Sequence, residues 1–124
     1  MMEAVREKAK KVCDGALEVM LILNVVAIAA CFVSPYRLFV VRSDSMEPTF
    51  TVGCVVVSER VGDGTELRVG DVVTYKNPAV PFTITHRIVE VTERGFVTKG
   101  DNLNEDDGEI PREWVKYRVL GRGW

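Results

Sequence analysis

Leu17-Glu18-Val19-Met20-Leu21-Ile22-Leu23-Asn24-Val25-Val26-Ala27-Ile28-Ala29-Ala30-Cys31-Phe32-Val33 is interrupted by only two polar residues, Glu18 near its edge and Asn24 inside. At about 1.5 Å per residue a helix over this run is roughly 25 Å long, slightly short of a ~30 Å hydrocarbon core. Gly15 and Ala16 before it and Ser34 to Tyr36 after it make up the difference. Ten of its positions are Leu, Ile, Val or Phe, and their summed preference for lipid outweighs one Asn. A buried helix of a soluble protein is the alternative. The run is apolar on all sides, however, and the 91 residues that follow are too few to wrap it. Residues 17–36 therefore read as a transmembrane anchor.

Arg6, Lys8, Lys10 and Lys11 precede the run, whereas Arg37 and Arg42 alone follow it before the next element. Cationic flanks stay on the cytoplasmic side, which assigns residues 1–16 to the cytoplasm and residues 37–124 to the far side of the cell membrane. The same pattern opens secretory signals, and Ile28-Ala29-Ala30-Cys31 resembles a lipoprotein cleavage box. A permanent single-pass anchor fits better, because the run passes through Phe32 and Val33 into Pro35 and Tyr36 without a polar tether. The lipid bilayer is thus the first expected partner.

The chain has 124 residues, room for one small domain beyond the anchor. Lys and Arg (16) are outnumbered by Asp and Glu (18) and form no basic stripe, which argues against a nucleic-acid partner. On the expected topology Cys13, Cys31 and Cys54 fall in three different compartments, so no internal disulfide is expected. Cys54 heads the β-branched run Val55-Val56-Val57 and reads as a small core residue before it reads as a nucleophile. A lone histidine and scattered cysteines do not make a zinc site, and no metal or other cofactor is expected.

Beyond the anchor the pattern changes to short β-rich runs separated by Gly, Pro, Asp and Asn. Candidate strands span 38–42, 54–58, 71–76, 83–91, 95–99 and 115–120, with turn-like residues at 61–64, 77–78 and 93–95 and a polar stretch at 100–108. The fold expected is mainly β: an amino-terminal transmembrane helix followed by a small, strongly curved, partly closed sheet.

Chemistry concentrates in three places. In Ser43-Asp44-Ser45-Met46-Glu47-Pro48-Thr49 an extended backbone sets Ser43 and Ser45 on one face and Asp44 on the other. Serine attacks well only when a base takes its proton, and His86 is the sole imidazole in the chain. It lies on Thr83-Ile84-Thr85-His86-Arg87-Ile88-Val89-Glu90-Val91, where Ile84, His86 and Ile88 share a face. Taken singly, two serines shape a turn and one histidine sits on a sheet. The third place, Thr98-Lys99-Gly100-Asp101-Asn102 with Asp106 and Asp107, adds a carboxylate to orient the ring. A calcium loop is the competing reading of 100–108, and its glycine spacing does not fit an EF-hand. Lys99 or Lys76 acting as the base is a rival enzymatic reading. A membrane-tethered β-domain that binds extended peptides without cutting them is the non-enzymatic one.

These motifs, in this order behind an anchor, resemble the type I signal peptidases, specifically the archaeal and endoplasmic-reticulum subtype. Ser43 to Thr49 is similar to the family's nucleophile box, Arg68-Val69-Gly70-Asp71-Val72-Val73-Thr74-Tyr75 to its next strand box, and His86 to Val91 to its base-bearing strand. Thr98 to Asn102 with Asp107 is similar to the acidic box. The resemblance implies a serine endopeptidase that removes signal peptides from secreted preproteins, with Ser45 as nucleophile, His86 as base where bacterial members carry lysine, and Asp107 as the orienting carboxylate. Asp106 is its neighbouring contender. Ser43 and the Ser45 amide become candidate oxyanion donors, and Asp101 a supporting acid. It further implies signal-peptide-bearing preproteins as substrates and the protein translocation channel as a candidate partner. Met46, Phe50 and Phe82 are candidates for a substrate groove, with core as the alternative. Asp44 and Leu103 depart from the family pattern.

Overall fold

The computed structural model describes residues 1–122 and divides into two compact units, Met1–Ser34 and the chain from Pro35 onward. The first unit is one helix, α1 (Met2–Val33). Its 32 residues make a rod about 48 Å long. The apolar run forms its carboxyl-terminal half, and the cationic residues 6–11 continue the same helix backwards. None of its residues is buried by protein. It is long and apolar enough to cross a membrane. The helix stops where Pro35 requires: Ser34 is extended (φ −61°, ψ 138°), because a residue before proline is sterically excluded from the helical region.

The second unit is a seven-stranded antiparallel sheet built from β1 (Tyr36–Val40), β2 (Val55–Arg60), β3 (Val72–Lys76), β4 (Thr83–Val91), β5 (Gly95–Lys99), β6 (Glu109–Pro111) and β7 (Val115–Arg122). The strand order is β1-β2-β7-β3-β4-β5-β6, and the sheet does not close on itself. Strand β6 was absent from the sequence reading. Only Ile110 in it is buried, opposite Phe96, and Pro111 ends it. The expected first strand starts two residues earlier, at Tyr36, and ends at Val40.

Strand β3 organises the core because both of its faces are covered. Val73 and Tyr75 join Leu67, Ile88, Phe96, Ile110 and Val115, while Val72 joins Met46, Phe50, Cys54 and Val56. This explains why the run Val72-Val73-Thr74-Tyr75 shows no polar alternation. Antiparallel pairing sets Val73 opposite His86 and Tyr75 opposite Ile84, so these four side chains share one face. Strand β5 meets β4 only from Arg87 onward, with Thr98 opposite Ile88. Two consequences follow for the site. Thr98, Tyr75 and His86 project to the same side, and among the described residues the half of β4 from Thr83 to His86 is strand-paired along one edge only.

Candidate active site

The serine turn is built from the core upward. Met46 is 2% exposed and Phe50 8%, and burying side chains of this size stabilises by about 1.5–3 kcal/mol each. Backbone hydrogen bonds from Glu47 to the Asp44 carbonyl (3.1 Å) and from Phe50 to the Met46 carbonyl (2.9 Å) curl the chain between these anchors. Asn102 then fastens the turn to the acidic segment: its amide donates to the Ser45 carbonyl at 2.8 Å and its Nδ2 to the Asp44 carbonyl at 3.1 Å. Met46 and Phe50 are therefore packed as core residues. Phe82, 60% exposed, remains at the surface.

His86, on the buried face of β4, has Nε2 3.2 Å from Ser45 Oγ and Nδ1 2.5 Å from Asp107 Oδ2. A carboxylate only accepts hydrogen bonds, so Nδ1 donates to Asp107, and in a neutral imidazole the Nε2 lone pair then faces the serine hydroxyl. Ser43 Oγ lies 3.1 Å from Ser45 Oγ. The structure thus brings Ser43, Ser45, His86 and Asp107 into one hydrogen-bonded line, with the serines and His86 more than forty positions apart in sequence.

The other two acids have separate places. Asp106 is exposed, and its Oδ1 accepts from the Gly108 amide at 2.8 Å in a local turn. Asp101 takes both arms of Arg87, Nε to Oδ1 at 2.9 Å and Nη2 to Oδ2 at 2.8 Å, and accepts from Thr49 Oγ1 at 2.6 Å. The hydrogen bonds from Arg87, aided by Thr49, hold its carboxyl below the ordinary range despite opposing desolvation. Arg87 Nη1 also donates to the Gly70 carbonyl at 2.7 Å, so Asp101 braces the serine turn and the turn before β3 together. Lys99 Nζ points at the Gly100 carbonyl, 3.5 Å away, and Lys76 is exposed at the end of β3. Among the described residues no three of His, Cys, Asp or Glu converge to share a metal ion.

Arg87 and Thr49 were not singled out from sequence, although both lie inside quoted motifs. Neither was Thr98, fully buried, whose hydroxyl donates to Asp107 Oδ2 at 2.7 Å, nor the buried Tyr75 beside it. The alternation of Phe96 and Thr98 along β5 was the available signal, since it directs the hydroxyl inward.

No family model matches the chain. Individual proteins do. It is 38% identical over 91 residues to "Signal peptidase I W" of Bacillus subtilis, covering 69% of this chain and 47% of that protein. It is 37% identical over 81 residues to "Signal peptidase complex catalytic subunit SEC11" of Metarhizium robertsii, covering 62% and 47%. The corresponding human protein, "Signal peptidase complex catalytic subunit SEC11C", is 34% identical over 92 residues, covering 67% and 47%. The chain belongs to the type I signal peptidase family. It spans about half the length of the curated relatives it matches.

For a type I signal peptidase the two sequence departures are structurally mild. No non-glycine residue among those described has a positive φ, so Asp44 fits its turn without glycine's freedom. Leu103 lies over Gly100, its Cδ1 2.9 Å from where a Cβ on that glycine would stand.

Proposed function

We propose that this chain is a membrane-anchored serine endopeptidase that removes signal peptides from secreted preproteins through Ser45, His86 and Asp107. The observation that carries the reading is the pair of contacts made by one imidazole: Nε2 to Ser45 Oγ at 3.2 Å and Nδ1 to Asp107 Oδ2 at 2.5 Å. The family relationship supports the same chemistry.

In the proposed reaction Ser45 Oγ attacks the scissile carbonyl carbon as its proton passes to Nε2. Negative charge builds on the carbonyl oxygen, towards which the Ser43 hydroxyl and the Ser45 amide donate; one such donor contributes about 2.7–4 kcal/mol in other serine enzymes. Collapse of the tetrahedral species breaks the C–N bond, and the amine leaves with the proton from Nε2. Water, deprotonated by the same nitrogen, then hydrolyses the acyl-enzyme. The edge of Thr83 to His86 that no strand pairs among the described residues offers main-chain pairing to an extended peptide beside the base.

The apolar half of α1 fits a membrane anchor. Residues 1–16 lie in the cytoplasm in this proposal and the sheet domain outside, where preproteins emerge from the translocation channel. Only twelve positions separate Val33 from Ser45, a reach of about 40 Å even when fully extended. Cutting is confined to the vicinity of the bilayer.

The test is cleavage of a signal-peptide-bearing precursor by the full chain in liposomes, with circular dichroism confirming that each variant folds. Site-specific cutting by the parent, lost in Ser45→Ala and His86→Ala, is expected. A folded parent that does not cut, or a Ser45→Ala variant that cuts equally well, overturns the reading.

A further inference from the structure

Asp107 belongs to the irregular segment between β5 and β6, where no strand ladder fixes the backbone. Its carboxylate nevertheless meets His86 Nδ1 at 2.5 Å. A carboxylate plane turns easily about χ2, which is broad and nearly two-fold, so a single hydrogen bond to the ring does not fix it. Two further bonds tie Asp107 to a single residue, Thr98. The Asp107 amide donates to the Thr98 carbonyl at 2.8 Å, and Thr98 Oγ1 donates to Asp107 Oδ2 at 2.7 Å.

Thr98 suits that task. It is fully buried, it lies on β5 opposite Ile88, and its β-branched side chain has little freedom at χ1. The phenol of Tyr75, also buried, interacts with both Thr98 and Asp107. Thr98 Oγ1 and His86 Nδ1 address the same oxygen, Oδ2, so the direction of the threonine hydroxyl determines where that oxygen presents itself to the ring.

We propose that Thr98 is a positioning residue of the active site, clamping Asp107 by main chain and side chain so that Oδ2 stays on His86 Nδ1. Thr98 touches neither substrate nor the reacting atoms; it acts through Asp107. The inference rests on the proposed Ser45-His86-Asp107 reading. It predicts a loss confined to kcat, because a misaligned base slows the chemistry without altering how peptide binds.

The experiment uses the full chain in detergent micelles and compares Thr98→Val, Thr98→Ala and Thr98→Ser with the parent. Valine keeps the shape of threonine and lacks the hydroxyl, alanine serves if valine fails to fold, and serine restores the hydroxyl without the methyl. Valine and alanine are expected to lower kcat by roughly 10- to 100-fold with KM within about twofold, while serine stays within about threefold of the parent. His86 is the only histidine, so its Nδ1 proton gives one unambiguous downfield NMR signal. That signal is expected to persist in Thr98→Ser and in Ser45→Ala, and to move or broaden in Thr98→Val and Thr98→Ala. Unchanged kcat and an unchanged signal in a folded valine or alanine variant overturn the proposal. So does a serine variant as impaired as valine, which would assign the effect to methyl packing. Absence of cutting by the parent would remove the peptidase reading while the NMR comparison still decides whether Thr98 holds the pair.

Discussion

Gly100 and His86 occupy adjoining space: a methyl group on Gly100 would stand 3.1 Å from His86 Nε2 and 2.7 Å from the Ser45 carbonyl oxygen. The second approach is too close for any real Cβ and is to backbone, so the serine turn would have to shift. Gly100→Ala is expected to lower kcat/KM by about 100-fold or more while far-UV circular dichroism stays that of a folded sheet. Near-parental cleavage by the alanine variant would mean that the turn yields at no cost.

Asp106 and Asp107 are neighbours in sequence with unequal prospects. If the proposed triad operates, Asp107→Asn replaces the acceptor on Nδ1 with an amide that can hold the ring in the wrong tautomer, and a drop in kcat of about 10⁴-fold is expected, as in established serine proteases. Asp106→Asn keeps an oxygen for the Gly108 amide and should stay within a few-fold of the parent. Precursor cleavage by the two purified variants decides between them, and equal losses would reassign the orienting carboxylate.

Acid should loosen the brace around Asp101. Hydrogen bonds from Arg87 and then Thr49 hold its carboxyl below the ordinary value, so the brace stabilises the fold above the ordinary carboxylate range and is lost as pH falls through the depressed folded value. Asp101→Asn removes the charge, and a loss on the order of 1 kcal/mol is expected after allowance for solvent screening, or roughly 4–8 °C in Tm for a domain of this size. Thermal scans from pH 7 to pH 2 should show the gap between parent and variant narrowing at low pH. A gap independent of pH would rule out the linkage.

The alkaline limit involves Tyr75. Burial pushes its phenol up from 10.0 to about 12, with Thr98 opposing and the charge of Asp107 adding to the shift. The folded state therefore keeps a proton that the unfolded chain releases, and stability falls between about pH 10 and pH 12. Tyr75→Phe removes this contribution, so its Tm should decline less steeply than the parent's across that window. Parallel curves would show that other groups set the alkaline limit.

The strands legible in the sequence were those whose residues face a core on at least one side. Val72 to Tyr75 and Thr83 to Val91 announce themselves through β-branched and aromatic side chains, and the register of the second makes the orientation of His86 readable. Strand β6 was illegible because three residues ending in proline carry no periodicity. The fates of Met46 and Phe50 were hidden for another reason: apolarity in a turn does not say which side of the chain meets protein. Asp107 could be preferred to Asp106 only through family resemblance, since the direction of the Asp107 carboxylate depends on a bond to Thr98, nine positions away, and that of Asp106 on a local bond to the Gly108 amide. Thr98 itself passes for an ordinary strand former.

Met46, one position beyond the proposed nucleophile, is fixed among Phe50, Cys54, Val56 and Val72. In the proposed peptidase reactivity is thereby soldered to structural integrity, because loosening the turn disturbs the cluster of five buried residues to which Met46 belongs. Heat inactivation should follow the melting curve with no inert but intact species preceding it, which makes the rate of peptide cutting a gauge of how much of the population is still native.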